Sequence, residues 1–520
     1  MKLDQMIGQV FAFGFDGTRA SSETAALIQE LGAGAIILFA RNCESPEQVK
    51  QLVSAMQETA AQAGRPPLLI GIDQEGGAVQ RLVHPATEWP GNMALGAAND
   101  AGLARRAAAA VAAELQAVGV NWNLAPVLDV NNNPSNPIIG IRSFGARPQD
   151  VATLGSAWIE GQQAAGVAAC GKHFPGHGDT SEDSHVTLPS VAHDLARLKQ
   201  VELVPFAAAV EAGAASIMTA HVTFPAVEPE PGLPATLSKR VVTGLLRDEM
   251  GFQGVIAADA LEMAAVADRF GIGEAAVRAL EAGVDLLLVC SGFERQKAAV
   301  DAVCAALDSG RLDQTRIEQS VARITRIKER YAHAAEQPLS VVGCPDHIDL
   351  ALDIARKAVT LVKNDAGMLP IRLSPDEKLL VVWFRRLPRT PVSSEERDAQ
   401  ALADAVSEHH AGIENMTVDV DPSPADIAAA VSAARECSAA VIGTLDVHMH
   451  KSQAALVDAV ARECSRTAVL ACGYPADLRY FQHVNTYIAC YCWRRPCLQA
   501  AAAVVFGKAP AGGHLPVPAL

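Results

Sequence analysis

A chain of 520 residues is longer than one hydrophobic core organises, so two domains are expected. Half of the residues are apolar and 19% are charged, the balance of an ordinary globular protein, and no apolar run is long enough to cross a bilayer. The net charge of −15 argues against a nucleic-acid partner, whose phosphates call for a basic surface. The start, Met1-Lys2-Leu3-Asp4-Gln5, has no cationic stretch leading into an apolar core, so no export signal is read and a cytoplasmic location is expected. Eleven cysteines are sparse in a chain of this length, and Cys170, Cys290, Cys472 and Cys490 lie in apolar runs. They read as buried, reduced thiols.

Apolar runs near 8–14, 34–39, 67–73, 120–127, 166–173, 215–222, 254–260 and 284–290 read as strands. Amphipathic, alanine-rich segments at 46–63, 101–118, 150–165 and 195–212 read as intervening helices. Strands apolar on both faces and alternating with helices predict a parallel sheet, and eight of them favour a (β/α)8 barrel over a doubly wound sheet. From about residue 341 the rhythm restarts. A helix is expected over 350–362, strands at 379–384, 416–420, 439–445, 468–472 and 487–491, and helices at 399–409, 424–436 and 453–464. This second part reads as a three-layer α/β sandwich. The expected division is 1–336 and 345–520, with a linker marked by Gln337-Pro338 and Gly343-Cys344-Pro345.

A barrel would gather the carboxyl ends of its strands at one mouth. Asp73, Asp129, Lys172-His173, His221 and Asp259 all fall at such ends. The loop after the fifth strand, Lys172-His173-Phe174-Pro175-Gly176-His177-Gly178-Asp179-Thr180, continues to Asp183-Ser184-His185 and is dense in titratable groups. Asp259 ends a buried strand between alanines, where a carboxylate has room to attack a sugar anomeric carbon, although it also suits a helix N-cap. His185, two residues after Asp183, suits a general acid and base held by a carboxylate, or a loop histidine with a structural bond. Metal ligation by His173, His177, Asp179 and His185 is disfavoured, because the spacing fits no helical metal motif and no cysteine pair accompanies it. In Gly71-Ile72-Asp73-Gln74-Glu75-Gly76-Gly77, Asp73 suits two vicinal sugar hydroxyls and the glycines allow a sharp turn. Arg142 offers a planar donor fork, and Arg81 fits either ligand binding or a structural ion pair. His448-Met449-His450 reads as a surface loop.

Taken together, the 172–180 loop with Asp183-Ser184-His185, the 71–77 segment with Arg81, Arg142-Ser143-Phe144-Gly145 and Ala258-Asp259-Ala260-Leu261-Glu262-Met263 resemble family 3 glycoside hydrolases. The likeness is to the bacterial β-N-acetylglucosaminidase (NagZ-type) branch in its two-domain form. It extends into the second domain through Ala358-Val359-Thr360-Leu361-Val362-Lys363-Asn364 and Phe506-Gly507-Lys508. The resemblance implies that Asp259 is the nucleophile and His185 the acid/base with Asp183 as its partner. It also implies that Asp73, Arg81, Arg142, Lys172 and His173 bind a terminal N-acetylglucosamine. It implies a retaining mechanism without metal or cofactor, and substrates drawn from peptidoglycan fragments. Ala258 is a departure, since relatives often carry a hydroxyl there. Single-domain relatives lack the second domain, whose expected roles are shaping the aglycone side or packing two protomers as a homodimer.

Three rival readings stay open from the sequence. With a histidine acid/base, phosphate meets no second carboxylate at the glycosyl-enzyme, which allows a phosphorylase. A β-glucosidase of the same family is disfavoured by the His185 loop. A catalytically dead sugar-binding protein is disfavoured by the presence of both Asp259 and His185.

Overall fold

The computed structural model describes residues 2–182, 188–333, 337–365, 367–385 and 400–518. Eight short strands form the first sheet: β1 (Phe11–Phe13), β2 (Ala35–Leu38), β3 (Leu69–Ile72), β4 (Trp122–Asn123), β5 (Ala168–Phe174), β6 (Ser216–Thr219), β7 (Val255–Ala257) and β8 (Leu287–Val289). They pair in parallel in the order 8-1-2-3-4-5-6-7, and a parallel bridge from Ala257 to Leu286 joins the last to the first. The expected (β/α)8 barrel is therefore present. Every strand residue is buried, because helices cover the outside while side chains fill the inside.

The interior leaves little slack. A Cβ on Gly71 would lie 2.7 Å from Ile37 Cδ1 and 2.9 Å from the Trp122 ring. Glycine at that position is what admits the indole to the barrel centre, where Trp122 Nε1 donates to Ser216 Oγ at 2.9 Å. The helices start on local caps. Ser45 accepts from Gln48 N ahead of Pro46–Gln62, and Asp100 accepts from Leu103 N ahead of Ala101–Ala117.

The second sheet contains β9 (Thr360–Asn364), β10 (Leu379–Arg385), β11 (Ile413–Asp419), β12 (Ala439–Thr444), β13 (Thr467–Ala471) and β14 (Thr486–Ala489). Its order is β9-β14-β13-β12-β10-β11, parallel except for β9, which runs antiparallel to β14. Helices Pro424–Arg435, Ser452–Glu463 and Arg495–Val505 complete a layered α/β unit. The sequence-based helix over 350–362 needs correcting. The helix is Pro345–Ala358, and the chain then enters β9 as an edge strand that leaves Leu361 exposed. The single helix expected over 195–212 is two helices, Leu195–Gln200 and Val204–Glu211, because Pro205 starts a new first turn rather than continuing the old one. Glu336, where the expected linker begins, lies outside the described residues.

The two sheets are tied by direct contacts. Met93, Ala94, Ala97 and Ile141 from the barrel side pack into the core of the second sheet. Arg494 Nε donates to Gly77 O at 3.0 Å, and Ala146 N donates to Pro516 O at 2.9 Å.

One buried group of the barrel gives a stability prediction. Lys328 is 5% exposed, and its ammonium donates to Gln9 Oε1 at 2.7 Å. Burial lowers its pKa from 10.5 to about 7. The unfolded chain therefore holds one more proton than the folded chain between about pH 7 and pH 10, and stability rises with pH across that window. The full difference is on the order of 5 kcal/mol. Lys328→Met removes the titration and leaves only a pH-independent cost at Gln9 Oε1. The Tm of Lys328→Met relative to the parent is expected to fall as pH is raised from neutrality towards 10; a difference flat in pH would refute the assignment.

Candidate active site

Asp73, just after β3, and Lys172, near the end of β5, meet at the carboxyl end of the barrel. Lys172 Nζ lies 2.7 Å from Asp73 Oδ1 and 2.6 Å from Glu75 Oε1. Glu75 in turn receives a two-pronged bond from Arg142, Nε to Oε2 at 2.9 Å and Nη2 to Oε1 at 2.8 Å. Arg81 Nη2 stands 3.4 Å from Asp73 Oδ2. All five side chains are buried. Burial alone would raise both carboxyls, but the cations outweigh it. Lys172 and Arg81 hold Asp73 below its ordinary value, and Arg142 and Lys172 bring Glu75 to about 2. The network is thus a fully charged, pre-aligned set of donors and acceptors, the kind of array that fixes sugar hydroxyls.

The turn that carries Glu75 depends on its glycines. Gly76 and Gly77 have φ of +83° and +60°, and a Cβ on Gly77 would meet Pro90 O at 3.1 Å and Gly91 Cα at 3.2 Å. Asn123 Oδ1 accepts from Gln74 N at 2.9 Å and holds the start of the same segment to β4.

Asp129 is the hub of the histidine loop. Its carboxylate accepts from His173 N at 3.2 Å, from His177 N at 2.6 Å, and bonds His173 Nδ1 at 2.7 Å. It is completely buried, which would raise its pKa, yet His173 and the His177 amide lower it. His173 is therefore held with Nε2 as its remaining ring nitrogen. His177 bonds Thr180 Oγ1 at 2.8 Å through Nδ1, and burial lowers its pKa to about 4, so it is neutral near pH 7. Asn136 ties the loop from outside, donating to His177 O at 2.8 Å and accepting from Ile138 N and Ile139 N. His221, also at a strand end, has both ring nitrogens engaged, with Thr236 Oγ1 at 2.9 Å and Ala260 O at 3.0 Å.

Asp259 follows β7 and is half-buried. The next helix is Ala264–Phe270, too far along the chain for Asp259 to cap it; instead Asp259 Oδ1 accepts from the adjacent Ala260 N at 2.8 Å. Burial raises the Cys170 and Cys290 thiols, and the charges of Asp73 and Asp259 act in the same direction. Glu262, three residues on, accepts from Cys290 N at 2.7 Å through Oε1. Burial raises its carboxyl to about 7, with Asp259 acting in the same direction.

The structure thus gathers Asp73, Arg81, Arg142, Lys172 and His173 at the mouth. Asp183 and His185 lie outside the described residues. The described residues on either side of 183–187 are bonded to the rest of the barrel. Before that stretch, Asp179 meets His193 Nε2 at 2.5 Å; after it, Val191 N donates to Thr223 O at 2.9 Å. Among the described residues no group of three or more His, Cys, Asp and Glu is arranged to hold a metal ion.

Two parts of the site carried no assigned role in the sequence reading. Glu75 is the acceptor that holds both Arg142 and Lys172. Its signal was its place two residues after Asp73 in an extended segment, which puts both on one face. Asp129 stood at a strand end without a partner. The second histidine patch also needs correcting. His450 is buried and His448 half-buried, while Met449 between them is exposed; each histidine bonds a carboxylate through Nδ1, His448 with Asp477 at 3.1 Å and His450 with Asp421 at 2.7 Å.

Residues 2–327 match the family model described as Glycosyl hydrolase family 3 N terminal domain. A "Beta-hexosaminidase A" from Pseudoalteromonas piscicida is 38% identical over 379 residues, covering 68% of this chain and 63% of that protein. A "Beta-hexosaminidase" from Alkalilimnicola ehrlichii is 41% identical over 293 residues, covering 55% of this chain and 82% of that protein. Among solved structures, a glycoside hydrolase family 3 beta-N-acetylglucosaminidase from Paenibacillus sp. str. FPU-7 superposes with a TM-score of 0.95 at 41% identity, over 100% of this chain and 99% of that one. The chain thus spans just under two thirds of the first relative and the whole of the structural one.

Proposed function

The chain belongs to glycosyl hydrolase family 3, and from that premise we propose that it is a retaining exo-β-N-acetylglucosaminidase acting on terminal β-linked N-acetylglucosamine. The observation that carries this reading is Asp259 at the end of β7, on the same rim as the charged Asp73–Lys172–Glu75–Arg142 array. The full-length likeness to a β-N-acetylglucosaminidase supports the choice of sugar.

In the proposed mechanism Asp73, Arg81, Arg142, Lys172 and His173 hold the sugar at the barrel mouth. The Asp259 carboxylate attacks the anomeric carbon as the glycosidic bond breaks. The His185 imidazolium, oriented by Asp183, gives its proton to the leaving oxygen. His185, now neutral, takes a proton from water as that water displaces Asp259 and releases the sugar with its configuration retained. Every step uses side chains alone. The substrates proposed are N-acetylglucosaminyl muropeptide fragments of peptidoglycan.

Hydrolysis of 4-nitrophenyl β-N-acetylglucosaminide, set beside the β-glucoside and run with and without phosphate, tests the reading. Release of free N-acetylglucosamine, selective over glucose and indifferent to phosphate, is expected. Phosphate-dependent formation of the sugar 1-phosphate would make the protein a phosphorylase. Preference for the glucoside would overturn the assignment of the sugar site, and turnover of neither would favour the sugar-binding reading.

A further inference from the structure

We propose that the second domain carries an anion-binding pocket of its own, roomy enough for a phosphate ester and remote from the barrel mouth. A cavity of about 400 Å3 opens between the segment preceding β10, the end of the helix Ala401–Ser407 and the turn after the helix Arg495–Val505. Arg372, His409, His410 and Lys508 line it, and none of its lining residues is acidic. On a chain of net charge −15 that is a local reversal of sign.

The cations are uncommitted. Among the described residues neither the Arg372 guanidinium nor the Lys508 ammonium has an ion-pair partner. Two of the carboxylates close by in the chain, Glu377 and Glu408, are engaged elsewhere. Glu377 accepts from Ser374 N at 2.7 Å and Ser374 Oγ at 2.8 Å and lies 3.9 Å from Arg466, while Glu408 accepts from Gln499 at 3.0 Å. A planar guanidinium fork and an ammonium lining one cavity suit a phosphate.

The cavity walls are also fixed. Ile371 N donates to Val505 O at 2.9 Å, and Arg466 Nη2 donates to Arg372 O at 2.6 Å, so the backbone carrying Arg372 is held on both sides. Gly507 has φ of +67°, and a Cβ there would lie 2.8 Å from Pro370 Cβ, so only glycine allows the two segments this close. His410 is oriented by its Nε2 bond to Glu377 O at 2.8 Å. His409 lies against Phe506 with ring centroids 5.2 Å apart and 31° between planes, which gives the pocket a flat face beside its cations. Such a face suits the body of a phosphate monoester.

The pocket lies at the amino ends of the second sheet, since Glu377 and Lys378 lead into β10. The carboxyl ends of the same sheet face the barrel, where Arg479 reaches Pro134 O at 3.3 Å and Arg494 reaches Gly77 O. A ligand here is therefore separate from the sugar, and the inference does not depend on the reaction assigned to the barrel.

Calorimetric titration of the whole chain at fixed ionic strength, with inorganic phosphate and separately with glucose 6-phosphate, tests the proposal. Saturable one-to-one binding is expected. Arg372→Glu combined with Lys508→Glu should weaken it by about tenfold or more while hydrolysis of 4-nitrophenyl β-N-acetylglucosaminide is unchanged. Tighter binding of glucose 6-phosphate identifies a phosphate ester as the occupant, and equal or tighter binding of inorganic phosphate identifies the free ion. No saturable heat with either anion, or the same affinity in the double variant, would overturn the proposal.

Discussion

Asp259→Ala is expected to lower kcat/KM on 4-nitrophenyl β-N-acetylglucosaminide by on the order of 10^4 or more, while binding of N-acetylglucosamine persists. The separation of the two effects follows from where the groups stand. Sugar recognition is assigned to the buried array of Asp73, Arg81, Arg142 and Lys172, which is held together by its own ion pairs with Glu75 at their centre. Removing the Asp259 carboxylate takes away the atom that would form the covalent bond, and it also removes a negative charge that acts on Glu262. The alanine leaves space beside the anomeric carbon, so azide added to the variant is expected to attack from the vacated face and give the α-glycosyl azide. Turnover unchanged by the substitution would refute the nucleophile assignment. Loss of sugar binding together with turnover would place Asp259 among the binding groups instead.

The parts of this molecule legible from sequence are those whose cause is local. Barrel strands such as β2 and β3 are buried on both faces, so each appears as an uninterrupted apolar run between polar turns. Residues at the strand ends inherit their place from that pattern, which is why Asp73, Lys172, His173 and Asp259 were all readable as rim groups. What escaped depends on partners distant in the chain. Glu75 acquires its role from Arg142, 67 positions away, and nothing adjacent to it marks the pairing. His448 and His450 look like surface residues by composition, yet each is turned inward to a carboxylate from another loop, Asp477 or Asp421, and His450 is buried. β9 was hidden for a different reason. It is an edge strand with one exposed apolar residue, Leu361, and it follows directly on a helix, so the apolar periodicity runs on without a break.

Glu75 carries the second large effect. Its carboxylate is 1% exposed and accepts from both Arg142 and Lys172, so Glu75→Ala leaves two buried cations without their shared acceptor. Breaking a buried pair from one side costs about 3–5 kcal/mol, because the partner charge stays desolvated. A fall in Tm is therefore expected, together with a rise in KM as Arg142 and Lys172 lose the acceptor that aligns them. The charge can be tested apart from the shape with Glu75→Gln. In the parent, Glu75 is brought to about 2 in the fold from an ordinary 4.5, a difference worth on the order of 3 kcal/mol. That stabilisation is present above about pH 4.5 and is lost as pH falls towards 2. Asp73 and Asp129 are lowered as well and add to the same acid loss, so the parent is expected to lose stability steeply on acidification. Glu75→Gln should start from a lower Tm at neutral pH and fall more shallowly, the two curves converging at low pH. Denaturation midpoints across pH 2 to 7 measure this directly. Parallel curves would mean that Arg142 and Lys172 respond to the shape of the side chain at position 75 and not to its charge, and unchanged KM in Glu75→Ala would remove Glu75 from the sugar site.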